Sequence, residues 1–313
     1  MSTKIVGHDP VKVASTEAIQ AVPLRRPGRW FAAFFVIVLL AQVIYGAAIN
    51  PAYGWDTYAK YLFDRRVSEA ALITIYLTII AMAIAVILGV VLSVMRESAN
   101  PVLRGVAWLY LWFFRGTPVY VQLVFWGLLP TIYKFIDIGI PGLPSLAQID
   151  LQLIYSAFWV GAIGLGLNEA AYMAEIVRAG IKSVNEGQAE AATGLGMGWF
   201  QTIRRVILPQ AMRVIIPPTG NELIGMLKTT SLVVAVPYGF DLYARTRDIG
   251  TPIFDPVPLL LVASTWYLAI TSILMIGQFY LERHFSRGST RRMSPRQLRA
   301  QQKLSLTSLG GTS

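Results

Sequence analysis

Residues 70–95 read AALITIYLTIIAMAIAVILGVVLSVM, a run without one acidic or basic side chain. An α-helix rises 1.5 Å per residue, so about twenty such residues cross a hydrocarbon core of roughly 30 Å. A lipid-facing β-strand would alternate apolar and polar positions over about ten residues, and this run does not. It predicts a transmembrane helix. Working outward, five more blocks of the same character stand at about 31–48, 104–130, 153–177, 211–237 and 257–281.

The whole composition agrees. Of 313 residues, 55% are hydrophobic and 14% charged, against roughly 25% charge in an ordinary soluble domain. The expected fold is an all-α integral membrane protein with about six spans. There is no cysteine, which excludes disulfides and thiolate metal sites, and the two histidines, His8 and His284, cannot build a metal centre. Neither histidine lies in a span, so a membrane-embedded enzyme would lack its base.

The net charge of +10 raises nucleic acid as a ligand, but no recognised nucleic-acid module is present. Most of the charge lies in the tails and short connections. If both termini are cytoplasmic, nineteen of the 27 basic residues fall in cytoplasmic segments and six in outer loops, the bias of an inner-membrane protein. Arg25, Arg26 and Arg29 before the first apolar block also resemble the start of a signal peptide, but a run of about 18 residues exceeds a normal signal core. The chain then divides into a basic tail at 1–29, a first span with its outer loop at 30–64, a core at 65–285, and a second basic tail at 286–313. Both tails are expected to be disordered.

Between the fourth and fifth blocks, residues 180–213 are too polar for the membrane and too patterned for a linker. Ser183 and Glu186 fit a capping box that starts a helix through Glu190, Ala191 and Ala192. Gly194, Gly196 and Gly198 break it. A second run from Trp199 to Leu208 has apolar positions at Phe200, Ile203, Val206 and Ile207 before Pro209. The expected product is a helical elbow outside the bilayer, basic at Arg204 and Arg205.

Here the chain resembles the permease subunits of ATP-binding-cassette importers, and within them the polar amino-acid branch. The cytoplasmic signature of that family runs Glu-Ala-Ala, three residues, Gly, nine residues, Ile, one residue, Leu-Pro. This sequence has Glu190, Ala191, Ala192, then Gly196, then Val206, Leu208 and Pro209. Valine replaces isoleucine and every spacing is kept. Arg115-Gly116-Thr117-Pro118, Ala171-Tyr172 with Ala174-Glu175-Ile176, Gly220-Asn221, and Lys228 with Thr230-Ser231-Leu232 extend the resemblance over about residues 65–285. Where the branch often has aspartate after this lysine, Thr229 stands here. The resemblance implies that the elbow is a coupling helix that docks on a separate ATPase carrying ATP and Mg, since no phosphate-binding loop occurs in this chain. It also implies a second permease subunit, an extracytoplasmic solute-binding protein, no cofactor on this chain and a place in the bacterial inner membrane.

Charges inside a bilayer cost roughly 2.5 to 3.5 kcal/mol each and are paired, hydrated or functional. The charged candidates are Arg115, Glu169, Glu175, Glu222 and Lys228. Arg115 and Gln122, seven residues or two helical turns apart, are expected to share a face, as are Asn168, Tyr172 and Glu175. Asn221, Lys228 and Ser231 form a third face beyond Pro217 and Pro218. A zwitterionic solute needs both signs of charge. The expected path therefore places Glu169 against an ammonium group, Asn221, Lys228 and Ser231 along the wall and Arg115 near a carboxylate, with Gln122, Asn168 and Tyr172 also lining it. Ion pairing between helices is the bland alternative for Arg115, Glu175, Glu222 and Lys228. An ion-gradient transporter working through Glu169 or Glu222 is the rival function, but it would normally carry an internal repeat, and none is evident.

Overall fold

The computed structural model describes residues 27–139, 145–151 and 156–285. The two basic tails lie almost wholly outside the described residues. The chain divides at Pro51 into two units. In the first, α1 (Pro27–Ile49) is apolar around its whole circumference with no polar face, the pattern of a helix surrounded by lipid.

The second unit holds the other elements. In order they are α2 (Trp55–Leu62), α3 (Arg65–Arg96), α4 (Pro101–Gly116), α5 (Val119–Ile132), a hairpin of β1 (Phe135–Ile138) and β2 (Ala147–Asp150), and α6 (Ala157–Lys182). There follow α7 (Glu186–Gly194), α8 (Trp199–Thr202), a π-helical turn (Ile203–Ile207), α9 (Leu208–Thr229), a 3₁₀ segment (Thr230–Ala235), α10 (Leu242–Gly250) and α11 (Pro256–Phe285). Among the described residues α1, α3 and α11 are long and apolar enough to cross a membrane, and α5 is a shorter apolar helix.

The centre of this unit is the seam between α3 and α6, which run parallel. A Cβ added at Gly166 would meet Ile84 at 2.8 Å, one at Gly89 would meet Met173 at 2.6 Å, and Lys182 pairs with Glu97 at 2.9 Å. Residue numbers therefore rise together along both helices. Ala81, Ala85, Ala162, Ala170 and Ala174 are buried beside these glycines. In lipid, where no hydrophobic force draws helices together, small residues let backbones approach and gain dispersion energy. α9 joins this seam at Gly180, whose missing Cβ leaves room for Ile215.

Three sequence expectations are corrected. The apolar block at 104–130 is two helices, because Thr117 and Pro118 both take extended backbone angles. Proline lacks the N–H that would continue the helix and disfavours a helical conformation in the residue before it. The loop helix α7 is capped by Asn185, whose Oδ1 accepts from the Gly187 N–H at 2.9 Å. Ser183 instead donates its hydroxyl to the Gly180 carbonyl at the end of α6. Finally, the run from Trp199 does not stop at Pro209. It passes through the π turn into α9 without leaving helical backbone angles, so Pro209 stands in a continuing helix and leaves one carbonyl of the preceding turn without its usual N–H partner.

At the opposite end of the bundle from Lys182, α2 packs on α11. Trp266 donates its indole N–H to the Leu62 carbonyl at 2.8 Å, and the Tyr58 and Thr265 hydroxyls meet at 3.0 Å. α10 is tied to α3 by the Leu242 N–H, which donates to the Thr74 hydroxyl at 2.9 Å.

Candidate functional site

Four groups of polar side chains stand out, and the fold separates residues that the sequence grouped.

The first closes the break between α4 and α5. The last carbonyls of α4 have no partner within their own helix. The Gln122 side-chain amide donates to the carbonyls of Phe114 and Thr117, each at 3.1 Å, and to the Thr117 hydroxyl at 2.6 Å. Asn168 from α6 donates to the same Phe114 carbonyl at 2.9 Å and to Gln122 Oε1 at 3.2 Å. Gln122 is 4% exposed. Its face is not shared with Arg115, because the helix ends between them. Gln122 and Asn168 spend their hydrogen bonds on the backbone of this break, on the Thr117 hydroxyl and on each other.

The second group lies where α3 and α6 end. Glu175 accepts from Arg96, from Arg115 at 3.4 Å and from Arg178 at 2.7 Å, while Glu97 receives Lys182 and, at 3.9 Å, Arg178. The Arg115 guanidinium also lies over the Tyr172 ring, 5.4 Å from its centre. The side chains of Asn168, Tyr172 and Glu175 thus all meet α4 or the α4–α5 break, as their shared helical face requires.

The third group is in the bundle. Glu169 of α6 lies against Glu222 of α9. The two carboxyl groups stand within hydrogen-bonding reach of each other, while Glu169 Oε1 is buried without a hydrogen-bond partner. No basic side chain pairs with either among the described residues. On the other side of α9, two adjoining grooves of about 410 Å³ each follow its seam with α11. One is lined by Asn221, Lys228, Gln278 and Glu282, and the next by Lys228, Ser231, Ser264 and Thr271. The Gln278 amide donates to Asn221 Oδ1 at 2.9 Å and to Glu282 Oε1 at 2.8 Å. With its oxygen held, Asn221 keeps its NH₂ donors free. Lys228 is exposed and forms no ion pair among the described residues. The sequence reading placed Asn221, Lys228 and Ser231 together but missed the opposing wall of Ser264, Thr271, Gln278 and Glu282. Their spacing of seven, seven and four puts them on one stripe of α11, a signal that was available.

The fourth group is the loop. α7 and the start of α8 are joined through Gly196, whose φ of +78° is left-handed. The Gly196 N–H donates to the Thr193 carbonyl and the Met197 N–H to the Ala192 carbonyl. Ala192 is buried in the turn, whereas Glu190 and Ala191 face outward, and Leu195, Trp199 and Phe200 are exposed at 83%, 75% and 66%. Val206 lies in the π turn and accepts at its carbonyl from Gln210, which also reaches Gln188 of α7 at 3.3 Å. Leu208 and Pro209 open α9.

Long apolar helices packed on small residues, with a polar seam within the bundle and an apolar-tipped loop at its end, define a multi-pass membrane protein. The chain belongs to the family described as the binding-protein-dependent transport system inner membrane component, whose model matches residues 85–287. It is 62% identical over 288 residues to the arginine transport system permease protein ArgU of Corynebacterium glutamicum, covering 92% of this chain and 89% of that one. It is 36% identical over 221 residues to the probable amino-acid permease protein YxeN of Bacillus subtilis, covering 70% and 91%. Among solved structures it resembles a chain of an amino acid ABC transporter crystallised with histidines, with a TM-score of 0.59 and 31% identity over 73% of this chain and 97% of that one. The protein is therefore a permease subunit of an ATP-binding-cassette importer and a transport component rather than an enzyme. The ion-gradient alternative is set aside.

Proposed function

We propose that this permease carries cationic amino acids of the arginine type into the cytoplasm across the bacterial inner membrane. The observation that carries the reading is the Glu169–Glu222 pair, two carboxylates from neighbouring helices with no cation assigned to them. Charging two adjacent carboxyl groups in a low-dielectric bundle without a cation beside them is costly. A guanidinium or ammonium arriving between them restores the balance with charge-assisted hydrogen bonds. Relatives named as arginine and amino-acid permeases support this substrate class. The groove along α9 and α11 supplies the opposite sign: Lys228 and the Asn221 amide suit an α-carboxylate, and Glu282 suits a cation. We place both sites along one path, completed by a second permease subunit.

In this reading both termini and the loop at 180–213 face the cytoplasm. The exposed edge formed by Glu190, Ala191, Leu195, Trp199 and Phe200 docks on a separate ATPase that binds ATP and Mg. Apolar side chains exposed outside the spans favour a protein partner. A solute-binding protein delivers substrate on the outer face, where the β-hairpin, much of α2, and Arg247 and Asp248 of α10 are exposed.

The test is uptake of labelled arginine into vesicles holding the full complex, with unlabelled lysine or glutamine as competitor. Lysine is expected to compete and glutamine to fail. Glu169→Gln and Glu222→Gln are each expected to lower arginine uptake by roughly tenfold or more, as loss of one charge-assisted bond implies. Equal competition by glutamine, with both variants fully active, refutes the cationic assignment.

A further inference from the structure

At the shared end of α3 and α6 lies a groove of about 430 Å³ lined by Arg96, Trp108, Trp112, Arg115, Tyr172 and Glu175. Of the expected path residues only Arg115 and Tyr172 line it, and neither Glu169 nor Glu222 does. We propose that this groove binds the phosphate of an anionic phospholipid from the surrounding bilayer.

Three observations combine. The first is charge. Arg96, Arg115, Arg178 and Lys182 surround only two carboxylates, Glu175 and Glu97, so the cluster carries two positive charges that its own acids do not match. Arg115 is the least committed of these cations. Its contact with Glu175 is long, at 3.4 Å, its side chain is 45% exposed, and its guanidinium also lies over the Tyr172 ring. The second is depth. Arg96 ends the helix whose apolar run occupies 70–95, which puts the cluster where hydrocarbon gives way to headgroups. Basic pockets between helices at that level suit lipid phosphates. The third is the wall. Trp108 and Trp112 stack one turn apart, with centroids 6.3 Å apart, and are 57% and 62% exposed. Indoles settle at this interface because one edge is apolar and the N–H is polar. They offer a surface for the glycerol and upper acyl chain beside the two arginines. A free phosphate would have no use for that surface.

Native mass spectrometry of the full-length chain in mild detergent tests the proposal. Phosphatidylglycerol and phosphatidylcholine of matched acyl chains are titrated separately. Phosphatidylglycerol is expected to be retained in excess. Arg115→Gln is expected to reduce that excess by roughly fivefold, and the double change Trp108→Leu with Trp112→Leu to reduce it while leaving the charge intact. Arg213→Gln, in a separate groove with Arg283, is expected to leave it unchanged. The indole changes lie on exposed positions, so they decide the matter even where Arg115→Gln disturbs folding. Equal retention of the two lipids overturns the proposal. So does an equal loss in the Arg213 variant, which would mark a general charge effect. Displacement by an excess of inorganic phosphate would assign the groove to a free anion and overturn the lipid assignment.

Discussion

The side-chain amide of Asn168 reaches across from α6 to the carbonyl of Phe114, 2.9 Å away, at the point where α4 stops. Water cannot satisfy that carbonyl inside a bilayer, so a polar side chain from another helix must. The consequence is that Asn168→Leu leaves a buried acceptor with one partner fewer and removes a donor from Gln122. We expect a loss of roughly 1 to 3 kcal/mol, read as a lower thermal midpoint in detergent. Asn168→Asp is expected to be worse, since a carboxylate offers no donor to a carbonyl.

The seam of α3 and α6 has no room to spare. At Gly89 an added Cβ would stand 2.6 Å from Met173 Cβ, and at Gly180 2.2 Å from Ile215. Gly89→Leu is expected to cost about 1 to 3 kcal/mol or to push the helices apart. Gly105→Leu, where nothing lies within 4 Å, is expected to be tolerated. Folded yield and thermal midpoint of the two variants, compared side by side, check this.

Asp241 gives a pH dependence outside the spans. It caps α10 by accepting from the Tyr243 N–H at 3.1 Å, yet it is fully buried and its Oδ1 has no partner. Burial pushes its carboxyl up to about 6 from an ordinary 3.8. Because the folded form holds the proton more tightly than the unfolded form, its contribution to stability is greatest below pH 3.8. That contribution falls as pH rises and is fully lost above about 6. Asp241→Asn keeps an equivalent cap and removes the titration. Between pH 4.5 and 7 the wild type is expected to lose about 2 kcal/mol of stability relative to the variant, read as a falling thermal midpoint. Parallel curves would show that Asp241 does not titrate in this range.

The loop can be tested without touching the membrane spans. Glu190→Arg is expected to release a co-purifying ATPase while the permease stays folded. Gly196→Val places a β-branched residue at a φ of +78°, at a cost of roughly 1 to 2 kcal/mol, and is expected to weaken the same association by distorting the turn. Retention of the ATPase by both variants would mean the loop is not the docking site.

What could be read in the sequence depended on range. Apolar runs are local, so the blocks around α1, α3 and α11 were legible from composition and length. The charged residues inside the blocks were equally visible, but not their partners. Arg115, grouped with Gln122 by helical spacing, turns away to Glu175 because Thr117 and Pro118 end the helix, and the Arg-Gly-Thr-Pro stretch already held that information. The hairpin of Phe135–Ile138 with Ala147–Asp150 falls between two apolar blocks and carries no signal of its own in the sequence. Four-residue strands declare themselves through each other, and neither alone carries a period. Asn185 outcompeted Ser183 as the cap because Ser183 was already bound to the last turn of α6. The polar stripe on α11 was diluted by the apolar residues between its members and appears only when α9 is set beside it.

The π turn at Ile203–Ile207 joins α8 to α9 without interruption, so Trp199 and Lys228 sit on one continuous rod. A π turn holds one residue more than the α-helix around it. Removing a residue there lets the rod close up while its two ends keep their angular phase. Removing one from the regular helix just beyond, between Pro209 and Arg213, would turn everything downstream by about 100°. Lys228 and Asn221 would then rotate out of the groove with α11. The rod is thus a shaft with one built-in spacer, and chain length on either side of that spacer is strictly indexed to the direction in which the polar seam faces.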